Sequence, residues 1–88
     1  MMTARRQQYL YLVQLAWNLR QMDMGSLIEL LTYTEPALVI PQTTGRLKIT
    51  VIEREGVWFY AWGHGRKQSV RVGTDDAAER IARSVGST

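Results

Sequence analysis

The chain has 88 residues, a formal net charge of +3, 45% hydrophobic residues and no cysteine. That length holds one domain over residues 1–88 with one core, burying only ~60% of the surface the unfolded chain exposes, so a modest stability is expected. Without cysteine there is no disulfide, thiolate nucleophile or thiolate metal ligand, which is compatible with a cytoplasmic location; no apolar stretch reaches the roughly 20 residues that cross a bilayer, so no membrane partner is expected.

Residues 3 to about 22 read as a helix. Gln7, Tyr11, Gln14, Asn18 and Gln21 recur at spacings of four and three, which places them on one helical stripe. The rest of the circumference carries Tyr9, Leu10, Leu12, Val13, Leu15, Ala16, Trp17 and Leu19, an arc wider than the ~100° that seats a helix on one sheet. Such a helix is either embedded on several sides or turned in part toward another chain. Arg20 falls on the apolar side, where it can snorkel near the helix end. Arg5 and Arg6 before an apolar run have the look of a signal peptide, but Gln14, Asn18 and Arg20 break the run and no small-residue cleavage site follows.

Gly25 fits the helix C-terminal cap. In residues 26–32, Leu27, Ile28, Leu30 and Leu31 match a short helix as well as a strand; the Thr-Tyr-Thr that follows and Pro36 favour the strand. Residues 37–40 are β-rich and bounded by Pro36 and Pro41, which suits an edge or peripheral strand. After a turn at Thr43-Thr44-Gly45, residues 46–53 alternate, with Leu47, Ile49 and Val51 against Lys48, Thr50 and Ile52. Arg54-Glu55-Gly56 turns into Val57-Trp58-Phe59-Tyr60-Ala61-Trp62, which holds four of the eight aromatic rings. Residues 63–67 form a hairpin tip and residues 68–72 return. Gly73 ends the last strand, Thr74 caps a helix, and Asp75 and Asp76 oppose its dipole. Ala77, Ala78, Ile81, Ala82 and Val85 form the buried stripe of that helix, with Asp76–Arg80 and Glu79–Arg83 spaced as i,i+4 ion pairs.

Strand parity decides which face the rings occupy. A five-residue loop at 63–67 sets Trp62 opposite Gln68, Tyr60 opposite Val70 and Trp58 opposite Val72. A two-residue turn at Glu55-Gly56 sets Ile52 opposite Phe59 and Val51 opposite Tyr60. Both turns build the same apolar face from Leu47, Ile49, Val51, Trp58, Tyr60, Trp62, Val70 and Val72, which is expected to be core. Glu55 conflicts with this turn, since it would need a positive φ; a three-residue turn would exchange the faces and make the rings a stacking platform. The second face becomes Lys48, Thr50, Ile52, Phe59, Ala61, Ser69 and Arg71. Between Arg46 and Arg71 lie six basic and two acidic residues, a net +4 that leaves −1 for the rest. Ile52 and Phe59, neighbours across strands and flanked by Lys48 and Arg71, are candidate contacts for a protein or nucleic acid.

His64 is the single histidine, set between glycines in the hairpin tip. With no cysteine and no suitably spaced carboxylate it cannot assemble a zinc site. The tip does combine flexible backbone N–H groups with Arg66 and Lys67, the ingredients of an anion nest, but it lacks the helix N-terminus of phosphate loops. No nucleophile motif is present, the paired Asp75 and Asp76 read as helix-start acids, and neither an enzyme nor a cofactor is expected.

The helix ending in glycine, the strand meander, the Trp-Phe-Tyr-Ala-Trp-Gly-His-Gly-Arg run at 58–66 and the closing helix at 75–82 resemble a group of small actinobacterial proteins without an assigned activity. The resemblance implies an intracellular accessory or regulatory protein. From these residues we expect an α+β fold: a four- to five-stranded antiparallel meander with the N- and C-terminal helices packed on one face. The expected function is a non-catalytic interaction module acting through protein–protein contacts or as a homodimer. The alternative is a nucleic-acid-binding domain using the basic sheet face and hairpin loop. The candidate binding residues are Lys48, Ile52, Phe59, His64, Arg66, Lys67 and Arg71.

Overall fold

The computed structural model describes residues 4–42, 45–63 and 68–86. The elements run α1 (Ala4–Arg20), β1 (Leu27–Glu29), β2 (Ala37–Gln42), β3 (Gly45–Arg54), β4 (Val57–Trp62), β5 (Gln68–Arg71) and α2 (Ala77–Gly86). The strands form one five-stranded sheet in the order β1-β2-β3-β4-β5, every neighbouring pair antiparallel. Both helices pack on the same face. The fold is α+β, a meander of five strands covered on one side by the two terminal helices.

The register is the one both turns require. Val51 pairs with Tyr60 and Ile52 with Phe59 across the first hairpin; Tyr60 pairs with Val70 and Trp62 with Gln68 across the second. Glu55 takes a φ of +52° and Gly56 one of +79°, both positive as the two-residue turn demands. The helix-facing side of the sheet therefore carries Ile49, Val51, Tyr60, Trp62 and Val70, all buried, against Leu12, Leu15 and Leu19 of α1 and Ala77, Ala78 and Ile81 of α2. Trp58 lies at the rim of this core, its ring 5.8 Å from that of Tyr11 and tilted by 55°.

Polar groups at the core edge are matched. The Tyr60 hydroxyl donates to the Tyr11 carbonyl at 2.8 Å, and the Trp62 indole donates to Ser84 Oγ at 2.9 Å, tying one helix each to β4. Gln8 Nε2 donates to the Val51 carbonyl at 2.9 Å, where β2 has ended and β3 has lost that neighbour.

Four local expectations are corrected. The last helix does not open on a Thr74 cap: residues 75–76 form a turn in which Ala77 N–H bonds the Thr74 carbonyl at 3.1 Å, and α2 begins at Ala77. The cap of α1 is not at Gly25: Met24 N–H bonds the Leu19 carbonyl at 3.0 Å, Asp23 N–H bonds the Arg20 carbonyl at 2.9 Å, and Asp23 takes the positive φ of 59°. This is a Schellman closure, with Asp23 tolerated in the left-handed region and Leu19 and Met24 both packed into the core. The strand expected within 26–32 is only three residues long, and Leu30 and Leu31 are exposed beyond its end. The segment around 37–40 is not an edge strand: β2 lies between β1 and β3, pairs on both sides at Leu38 and Val39, and runs on through Pro41 to Gln42. Pro41 is accommodated because it lies past the stretch that pairs with β1, so no ladder donor is missing there.

Candidate functional site

Two surfaces stand out, on different sides of the body. The first is the flank where α1 overhangs the β1 edge. The C-terminal end of α1 lies beside Ser26, since Val13, Ala16, Trp17 and Arg20 share a groove of about 520 Å³ with residues 23–26. Its N-terminal end is tied to the β1–β2 loop by the Arg5 guanidinium, which donates to the carbonyls of Leu31 and Thr34. Helix and strand thus run antiparallel, and the side of α1 bearing Tyr9, Val13 and Trp17 points out past the sheet edge. The wide apolar arc resolves into two parts: Leu12, Leu15 and Leu19 are sealed, whereas Tyr9, Leu10, Val13 and Trp17 are open, Trp17 to 63%. Leu30 and Leu31, exposed in the loop after β1, extend the apolar surface along the same edge, whereas Leu27, 64% exposed, pairs with Val39 and so faces the outer side of the sheet with Lys48.

The second surface is the outer face of the sheet. Lys48, Ile52, Phe59 and Arg71 lie on it together, and Ile52, Phe59 and Arg71 form one row across β3, β4 and β5. Lys48 stands four residues along β3 from Ile52, roughly 13 Å away at ~3.4 Å per residue. Lys48 and Arg71 are exposed, and Ile52 and Phe59 are half-buried. His64, Arg66 and Lys67 lie outside the described residues. The face is not open throughout: Thr50, at 7% exposure, and Ala61, at 1%, are buried although they point away from the helices.

Two residues of this face were missed. Arg54 has the parity of Lys48 and Ile52, and its guanidinium sits 5.9 Å from the centre of the Phe59 ring. Its place was implicit in the two-residue turn, which makes Arg54 the last strand residue rather than part of a loop. Tyr33 lines a groove of about 490 Å³ with Glu35, Lys48, Thr50 and Ala61; nothing in the local pattern of residues 30–36 signals that placement. Comparison with protein-family models, curated proteins and solved structures finds no match to this chain.

Among the described residues no three histidine, aspartate or glutamate side chains converge as metal ligands, and no helix is long and apolar enough to cross a membrane. The Tyr60 hydroxyl is pushed up to about 12, first by burial and then by neighbouring Tyr11. That phenol is a core group bonded to a helix carbonyl. The two surfaces are an apolar flank on one side and a cationic face with rings on the other.

Proposed function

We propose that the protein is a non-catalytic interaction module that works as a homodimer, joined through the α1 flank and the β1 edge. The observation that carries this reading is the 63% exposure of Trp17 on a helix flank that also bears the open side chains of Tyr9, Leu10 and Val13. Monomeric proteins rarely leave so much contiguous apolar side chain in water. The open side chains of the flank, Leu30 and Leu31 included, amount to on the order of 600 Å², most of the ~800 Å² per partner that a standard interface buries.

A second copy fits this surface on grounds of symmetry. A two-fold axis perpendicular to the sheet at the β1 edge keeps both helix layers on one side and sets the two α1 helices next to each other. Each Trp17 then faces an apolar stripe identical to its own, and tryptophan is the residue type most enriched among interface anchors. Gln14 and Asn18, exposed on the far side of α1, supply a polar rim. The outer backbone groups of β1, which among the described residues has a neighbour only in β2, are available to pair across the axis.

Sedimentation velocity at increasing protein concentration tests this. The wild-type chain should sediment as a dimer, and Trp17→Glu should return it to a monomer with an unchanged circular dichroism spectrum, because that side chain contributes little to the core. A wild-type chain that stays monomeric at high micromolar concentration would remove the proposal.

A further inference from the structure

The outer sheet face lies away from the α1 flank, so what it does is independent of self-association. Strand parity places Arg46, Lys48 and Arg54 of β3 on it, with Arg71 of β5 beside Phe59. Arg46 is spent in part on Glu29, 3.5 Å away. Lys48, Arg54 and Arg71 have no acidic partner among the described residues. Lys48 and Arg54 are about 20 Å apart along β3, and Arg71 is roughly 10 Å to the side, two strand spacings from β3. Three unneutralised cations along one face define a track for a polyanion.

The same track has ring surfaces. Tyr33 is 96% exposed. It stands with Glu35 and Lys48 around the 490 Å³ groove floored by Thr50, Ala61 and Gly63. The floor is small and sealed, leaving room above it for a flat group beside the tyrosine ring, and Lys48 is close enough to meet an anion attached to that group. Phe59, held under Arg54 at 5.9 Å, is a second ring about three residues further along the sheet. A ring next to a cation, twice on one face, is the arrangement that takes a base and its phosphate. A five-stranded face is too broad to enter a duplex groove, which admits a helix or a two-stranded ribbon.

We infer that the outer face binds single-stranded nucleic acid, with Lys48, Arg54 and Arg71 against backbone phosphates and Tyr33 as the open stacking ring. The test is fluorescence anisotropy of the full chain with labelled oligo(dT) and oligo(U) of about 12 nucleotides, within the 4–16 that such surfaces span. Three phosphate contacts give a log–log salt slope near −2, so raising salt from about 50 to about 200 mM should weaken binding roughly 20-fold. Tyr33→Ala should weaken binding at least about fivefold at fixed salt, and its exposure means that the fold is untouched. Lys48→Gln should reduce the slope by about 0.7. Three results would each overturn the inference: no binding to either oligomer at about 50 mM salt; wild-type affinity in Tyr33→Ala; or a duplex of equal length bound as tightly as the single strand.

Discussion

Replacing Glu55 by asparagine should stabilise the domain. Glu55 is the first of two residues between Arg54 and Val57, which pair, and it holds a φ of +52° followed by +79° at Gly56. Positive φ at both central residues defines the type I′ turn, where Asn-Gly is strongly preferred. Holding a side-chain-bearing residue in the left-handed region costs roughly 1–2 kcal/mol, and asparagine recovers part of that by bonding its own backbone. Glu55 is exposed and makes no hydrogen bond or ion pair among the described residues, so its removal sacrifices no contact. The net gain should be about 0.5–1 kcal/mol, or a thermal midpoint higher by roughly 2–8 °C in a domain of this size. Glycine should gain less, since it adds freedom to the unfolded chain worth about 0.5–1 kcal/mol. Valine, branched at Cβ, should lower stability. Thermal and urea unfolding followed by circular dichroism provide the measurement. An asparagine variant less stable than wild type, or a valine variant equal to it, would refute the turn geometry and with it the register that puts Tyr60 and Trp62 inside.

Ser84→Ala should destabilise by about 0.5–2.5 kcal/mol in urea unfolding: the orphaned Trp62 indole N–H costs about 1–3 kcal/mol and exceeds the ~0.5 kcal/mol gain in helix propensity. In that background Trp62→Phe should cost less than in the wild-type chain, a coupling that a double-mutant cycle reads directly. Tyr60→Phe should cost about 0.5–1.5 kcal/mol at neutral pH through the lost bond to the Tyr11 carbonyl. The Tyr60 hydroxyl is raised from 10.0 to about 12, so above pH 10 an unfolded chain releases this proton while the folded chain keeps it. Stability from this group is complete below pH 10 and is lost as pH rises toward 12, and the phenylalanine variant should show a flatter profile across that window.

The sheet was legible because two turns set parity independently. A two-residue turn at Glu55-Gly56 and a five-residue tip at 63–67 both put Tyr60 beside Val51 and Val70, and a conflict between them would have shown at once. The second helix was legible from its alanines and its spaced ion pairs, and Arg80 does meet Asp76 at 3.1 Å, although the helix opens at Ala77, later than the Thr74 cap implied. The cap of α1 was not, since glycine is the usual left-handed residue and the burial of Leu19 and Met24 that accompanies closure two residues earlier is set by packing. The length of β1 was hidden because Leu30 and Leu31 are as apolar as Leu27 and Ile28; only the end of β2 at Ala37 terminates the ladder. On the outer face, Lys48, Ile52, Phe59 and Arg71 followed from alternation. Tyr33 did not, because a loop side chain obeys no period. The apolar surplus of α1 was plain from its composition, while the division between Leu12, Leu15 and Leu19 inside and Tyr9, Val13 and Trp17 outside depends on where the helix sits over the sheet.

Native mass spectrometry and light scattering of the wild-type chain, set beside Trp17→Glu, weigh the α1 flank most directly. The wild type should give twice the 10.1 kDa chain mass and a thermal midpoint that rises with protein concentration, and the variant should give the single mass and a midpoint independent of concentration. A wild-type chain at 10.1 kDa across the whole concentration range, with a constant midpoint, would contradict a dimer built on Trp17 and β1.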